Sequence, residues 1–329
     1  MSKQRALVLG GAGFVGSHLC DRLLEDGWDV CAMDNLATGR IENIQHLGRH
    51  PRFTFIQHDV MEPFHVPAER IYNLACSASL PRHQADPIKT TLTSMLGAMH
   101  ALRLATLCNA RVLQASTSGV YGDAEVHAQA EAYPGCVSPT GPRACYEEGN
   151  RCAESLTMDF ARAHGVEVRI ARIFDTYGPR MDPNDGRFLS RLVTQALRGE
   201  NLTVHGDGTH TQSLCYVDDL VDGLVALMEH ASFSEPVNLG NPEEHTALEL
   251  AELVRGLVSS RSRVTVEPFP VDAPRNHKPV IDRAAQHLGF APKVLLRAGL
   301  ARTIEHFDSR RATSAASRAR SAADGSWPS

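Results

Sequence analysis

The sequence predicts an α/β fold, a doubly wound parallel sheet followed by a smaller C-terminal α/β lobe. Three observations carry that prediction. Short apolar runs alternate with stretches of helical periodicity from the N-terminus to Ile173, the pattern of a parallel sheet covered by helices on both faces. Between the first run and the first helix lie Gly10, Gly11, Gly13 and Gly16. From Phe174 onward the texture becomes irregular, with turn clusters at Tyr177-Gly178-Pro179 and Pro183-Asn184-Asp185-Gly186 and shorter strands between helices.

The run Ala6 to Leu9 is long enough for a buried strand, and helical spacing follows at Val15, Leu19, Leu23 and Leu24. Strand, glycine turn and helix make the first half of a Rossmann-type dinucleotide-binding unit. Gly10 permits the tight turn, Gly13 lets backbone approach a pyrophosphate, and Gly16 lets the helix pack near the strand. Phe14 and Val15 open a helix whose free N–H groups and partial positive charge face the phosphates. A second strand, Asp29 to Met33, ends in Asp34, about 20 residues past the glycines, where a carboxylate accepts from the adenosine ribose hydroxyls. A carboxylate there repels a 2′-phosphate, so the cofactor reads as NAD. The loop Asn35 to Arg40, with Thr38 and Gly39, is placed to close over the adenosine half.

Phe53 to Gln57 reads as a third strand, followed by Asp59 and Val60 on the ligand side. Asp59 has two readings, a contact to the adenine amino group or a cap on the next turn. Ile71 to Ala75 is the fourth strand, with Ala75 at its ligand end. A long helix from Pro87 to about Cys108 leads to a fifth strand, Arg111 to Ala115, which runs into Ser116-Thr117-Ser118-Gly119. A second long helix starts near Tyr146 and runs to about His164, and Val166 to Ile173 is the sixth strand. Beyond it, strands near Leu202 to Val204 and Pro236 to Leu239 alternate with helices near Val217 to His230 and Leu248 to Val258. Residues 1–173 thus read mainly as the NAD-binding domain and 174–307 mainly as a substrate lobe interleaved with it. Residues 308–329, rich in Ser, Ala and Arg, read as a disordered tail.

A chain of 329 residues buries a sizeable core without staples. Its net charge of −5 argues against a nucleic-acid partner. The eight cysteines form no CxxC pair, which suits free thiols in a reducing compartment. The sixteen histidines show no zinc-ligand spacing, so no metal is expected. No secretory signal pattern opens the chain and no apolar run nears the roughly 18 residues that span a bilayer. A soluble, cytoplasmic protein without a membrane partner is expected.

Several segments together resemble one family. They are Gly10 to Gly16, Asp34-Asn35, Ser116-Thr117-Ser118 before Val120-Tyr121-Gly122, Gly141 to Gly149, Ala171 to Met181, Asn184 to Arg187, and Val237 to Thr246. Over roughly Arg5 to Phe307 they resemble the extended short-chain dehydrogenase/reductases that modify nucleotide sugars, and within these the UDP-glucuronate decarboxylases. The resemblance implies oxidation at C4 of the sugar by NAD, loss of CO₂ from C5, and return of the hydride. It implies Tyr146 as the base, with Thr117 hydrogen-bonding the reacting oxygen. It also implies a substrate site holding Lys89, Asp175, Arg187, His205 and His277. Members commonly pair their two long helices, which implies a homodimer here.

Departures from the family pattern lie at the site. Position 150 carries Asn150 where the family has the lysine that stabilises the tyrosinate, and Gly119 stands where the decarboxylases have a glutamate. Asp175 replaces a substrate-binding asparagine, and Gln212 and His277 replace arginines, the latter near the pyrophosphate. Losing two cations and gaining a carboxylate weakens the hold on a nucleotide sugar. Three readings therefore stand together: a decarboxylase, an epimerase of the same fold, and a catalytically weak NAD- or nucleotide-sugar-binding protein.

Overall fold

The computed structural model of the chain describes residues 4–76, 78–269 and 277–323. Its first part contains β1 (Arg5–Leu9), α1 (Phe14–Glu25), β2 (Asp29–Asp34), β3 (Phe53–Gln57), β4 (Arg70–Asn73), α2 (Leu80–Ala85), α3 (Pro87–Cys108), β5 (Arg111–Thr117), α4 (Ala144–His164) and β6 (Val168–Ile173). The chain continues through β7 (Thr176–Tyr177), α5 (Phe188–Arg198), β8 (Leu202–His205), β9 (Thr211–Ser213), β10 (Cys215–Tyr216), α6 (Val217–Glu229) and β11 (Pro236–Leu239). It ends with β12 (Glu244–Thr246), α7 (Ala247–Val258), β13 (Val264–Glu267), α8 (Asp282–Leu288) and α9 (Leu296–Ala323).

Seven strands form one parallel sheet in the order β11-β6-β5-β4-β1-β2-β3. β1 shows why its strands read as continuous apolar runs. Ala6 and Val8 enter the core on one face, and Leu7 and Leu9 enter the core on the other. On the first face lie α1 and α6, through Leu19, Leu23, Leu220 and Leu224. On the second lie α3 and α4, with Ala101, Leu102 and Ala105 inward and Leu156 packed against them. α3 begins cleanly because Asp86 accepts from the Lys89 amide and Pro87 occupies the first turn. Successive strands move outward from β1 in one direction and from β4 in the other. The gap between these two neighbours is the switch point, where ligands bind at the carboxyl ends.

Three two-stranded sheets, β10-β7, β12-β9 and β13-β8, lie outside the main one. The segment after β7 meets residues at the carboxyl ends of the main sheet. Ser79 Oγ donates to Asp185 O at 2.8 Å, and Arg40 and Arg82 reach Asp182 Oδ2 at 2.8 and 3.4 Å.

Two expectations need correction. Pro236 to Leu239, placed by its position in the chain with the smaller lobe, is the edge strand of the main sheet and pairs with β6. Apolar pattern records that a strand is buried, not which sheet buries it. The tail expected to be disordered beyond Phe307 continues as helix α9 to Ala323. Thr303, Ile304 and Phe307 are buried and seat the helix on the core, and good helix formers extend it. Residues 324–329 lie outside the described residues. Among the described residues no helix is long and apolar enough to cross a membrane, and no group of three His, Cys, Asp or Glu is placed to hold a metal ion.

Candidate active site

The glycine turn is held by sterics that no other residue satisfies. Gly10 has φ +77°, and a Cβ there would lie 3.0 Å from the Leu74 carbonyl carbon. A Cβ on Gly16 would lie 2.1 Å from Gly10 O. α1 follows with Gly13 at its cap, no side-chain cap and no acidic residue in the first turn. The amides of Phe14, Val15 and Gly16 therefore open the helix toward an anion. Beyond the turn lies a cleft of about 290 Å³ lined by Gly10, Gly13, Asp34, Asn35, Thr38, Val60 and Ala75. The Asp34 carboxylate accepts from the Ala12 amide at 3.1 Å and the Leu36 amide at 2.8 Å. Burial pushes its pKa above the ordinary carboxylate value, against the pull of those amides. Gly39 passes so close that a Cβ there would lie 2.6 Å from Asp34 Oδ2. Open helix amides, close backbone and a carboxylate at the end of β2 fit a dinucleotide.

Of the two readings of Asp59, its bonds match the cap. Oδ1 accepts from the Met61 amide at 3.0 Å, and Oδ2 accepts from Asn35 Nδ2 at 2.9 Å. Lys89 Nζ lies 3.4 Å from the same Oδ2. Partial burial would raise this carboxyl, but the Met61 amide, Asn35 and Lys89 hold it below its usual range. Lys89, expected on the substrate side, lines the cofactor cleft. Spacing along a helix could not reveal a partner on a different strand loop.

At the other end of the cleft Cys76 leads to the tyrosine. Tyr146 shares a side-chain hydrogen bond with Thr117, at the end of β5. The ring is half-buried, and burial pushes its phenol far above the ordinary tyrosine value. Cys76 adds to the rise, while Thr117 and Arg187 oppose it and Asp175 adds to it. Thr117 Oγ1 also accepts from the Gly119 amide at 3.1 Å. A Cβ on Gly119 would lie 3.4 Å from both Thr117 Cγ2 and Tyr146 Cε1, so position 119 opens directly onto the pair. Asn150 is 3% exposed. Its amide nitrogen donates to Tyr146 O at 2.8 Å and to Cys76 Sγ at 3.7 Å. Any contact from this amide to a cofactor ribose competes with two bonds already made.

Asp175 and Arg187 both act electrostatically on Tyr146, which brings the smaller lobe to the reacting end. Arg187 is half-buried against Asp185 and donates to Thr176 O at 3.3 Å. His277 Nε2 lies 2.9 Å from Gly122 O, beside the turn that follows Thr117. His205 stands apart, with Nδ1 3.2 Å from Pro268 O and its ring against Phe269. Gln212 lies on β9, opposite His245. Sequence reasoning missed Cys76, Arg82 and His83. Cys76 carried a usable signal, since it follows a parallel strand at the ligand side. His83 carried none, because only the fold lays its ring 5.1 Å from that of Tyr146.

A family model described as the NAD dependent epimerase/dehydratase family matches residues 6–240. The chain belongs to this family. It is 51% identical over 305 residues to a Danio rerio protein named UDP-glucuronic acid decarboxylase 1, covering 93% of this chain and 73% of that one. It is 49% identical over 304 residues to Arabidopsis thaliana UDP-glucuronic acid decarboxylase 3, covering 92% and 89%. Among solved structures, the Bacillus cereus UDP-glucuronic acid 4-epimerase with UDP-glucuronic acid and NAD superposes with a TM-score of 0.83 at 25% identity, covering 93% and 99%.

Proposed function

We propose that the chain is a NAD-dependent enzyme that modifies a UDP-sugar, with UDP-glucuronate decarboxylation as the leading reaction. The observation that carries this reading is the Tyr146–Thr117 pair next to Cys76, a residue that lines the same cleft as the glycine turn and Asp34. The glycine turn, the α1 amides and Asp34 would hold NAD, which would supply reversible hydride transfer at C4 of a sugar. Tyr146 takes the proton of the C4 hydroxyl, and Thr117 holds that oxygen in place. The ketone so formed lies β to the C5 carboxylate, which lets CO₂ leave. Asn150 brings no charge to the tyrosine, so ionisation of Tyr146 rests on groups from other elements.

A second reading rests on Gly119. With no carboxyl at position 119, the site keeps the redox step and lacks the acid the decarboxylases carry there, which suits 4-epimerisation. Incubation with NAD and UDP-glucuronate, followed by separation of products, decides. UDP-xylose or a 4-keto pentose supports decarboxylation, UDP-galacturonate supports epimerisation, and unchanged substrate with measurable binding leaves a binding protein.

Pairing of α3 and α4 with a second copy is proposed as well. Ile88, Leu92 and Leu107 on α3 are 74%, 39% and 74% exposed, and Leu96, Met99 and Phe160 are only partly covered. A monomer in sedimentation at micromolar concentration would refute it. The cytoplasm is the compartment proposed for it.

A further inference from the structure

The amide of Asn150 is spent on Tyr146 O and Cys76 Sγ. The charge that would draw the proton from a buried phenol has to come from another element. α2 brings one candidate. His83 is 4% exposed, and its ring lies 5.1 Å from the Tyr146 ring at an interplanar angle of 31°. It is held from two sides, since His83 O accepts from Thr90 Oγ1 at 3.4 Å on α3 and from Cys145 Sγ at 3.7 Å on α4.

We propose that His83 is the positioning residue that takes over the task of the missing lysine, pairing as an imidazolium with the Tyr146 phenolate. The proposal rests on Tyr146 being the base of the reaction. One proton leaves Tyr146 Oη for solvent and His83 takes one from solvent, so the pair stays neutral overall. Burial, which opposes either charge alone, opposes the two together far less. The substrate hydroxyl then gives its proton to the phenolate, and the return step reverses both transfers. The other groups near the pair do not do this. Burial keeps Cys145 in its thiol form, and Cys76 next to Asn150 makes the phenol harder to ionise. Arg187 favours the phenolate but is shared with Asp185, and Asp175 opposes it. Glu147, the next residue on α4, is matched by Arg143.

The test reads the phenol directly and needs no turnover. Difluorotyrosine placed at 146 ionises near the histidine range, and its ¹⁹F resonance is titrated in the full chain with NAD. His83→Phe keeps an aromatic ring in place and removes the titratable nitrogens. A unit charge about 5 Å away at an effective dielectric near 20 moves the phenol midpoint by about two units. His83→Phe is therefore expected to raise the midpoint, leaving ten- to a hundredfold less phenolate at a fixed pH. Adding Asn150→Lys to His83→Phe is expected to bring it back. His83→Gln gives the same reading if the phenylalanine variant fails to fold. In single-turnover NADH formation with natural tyrosine, the pH profile of His83→Phe should lie about two units above that of the parent protein. An unchanged midpoint in both His83 variants overturns the proposal, as does a raised midpoint that Asn150→Lys fails to restore. Absence of reaction with UDP-glucuronate would instead count against the proposed function and leave the titration standing.

Discussion

Replacing Gly16 by alanine tests the cofactor site through a single methyl group. The added Cβ would lie 2.1 Å from Gly10 O, 2.9 Å from Gly10 C and 3.0 Å from Gly11 Cα. All three are backbone atoms, so no flexible side chain can yield. Since real Cβ atoms essentially never come within 3.0 Å of such a neighbour, the turn must open by about 0.9 Å. Overpacking of this kind costs about 1–3 kcal/mol of stability. Opening the turn also moves α1 away from the pyrophosphate. An amide hydrogen bond to a charged group contributes about 1.5–3 kcal/mol, so losing one weakens NAD binding by roughly ten- to a hundredfold. Thermal unfolding without NAD and calorimetric titration with NAD read the two effects separately. Gly256→Ala is the control, because Gly256 lies inside α7 with no atom within 4 Å of the new methyl. It should stabilise by about 0.5–1 kcal/mol and leave NAD affinity alone. If Gly16→Ala unfolds at the parent temperature and binds NAD within about twofold of it, the packing argument for this turn is wrong.

Three further outcomes are expected. Asp34 should set a strong preference for NAD over NADP, and equal affinities in a binding titration would count against it. Asn150→Lys places an ammonium about 6 Å from Tyr146 on the same helix face, which at an effective dielectric near 20 lowers the phenol by about two pKa units. The C4 oxidation step should quicken at neutral pH and its profile move to lower pH; unchanged single-turnover NADH formation would show that the missing charge is already supplied. Burial pushes Glu147 from 4.5 up to about 7, against the Arg143 guanidinium. Its folded pKa is the higher one, so its support for folding is full below about pH 4.5 and is lost as pH rises through about 7. After allowance for partial solvent screening, Glu147→Gln should gain about 1–2 kcal/mol on the parent protein near pH 8 relative to near pH 4. A pH-independent difference in denaturant midpoints would contradict this.

Much of the cofactor half was legible because its signals are local. A chain that must turn at Gly10 and leave room at Gly16 announces both in four glycines, and an acid ending β2 follows at a set distance. The bounds of β3 and α3 were readable for the same reason, with Pro87 starting the helix; the structure adds Asp86 as its cap and Asn109 ending it in the left-handed region at φ 52°. The reacting end was legible only through family resemblance. Tyr146 and Thr117 come from different elements, and nothing in either segment alone says that they meet.

The sequence by itself determined the alternation of strands and helices and the glycine turn with its carboxylate, and its family resemblance marked the missing lysine at 150 and the missing acid at 119. Each is a property of one residue or one short window. Tertiary structure alone decided that β11 closes the edge of the main sheet and that Lys89 pairs with Asp59. It also decided that Asn150 spends its amide on Tyr146 and Cys76, and that His83 lies on the tyrosine ring. Periodicity reports whether a side chain is buried. Which neighbour buries it depends on segments tens of residues away, and those meet only when the whole sheet is assembled.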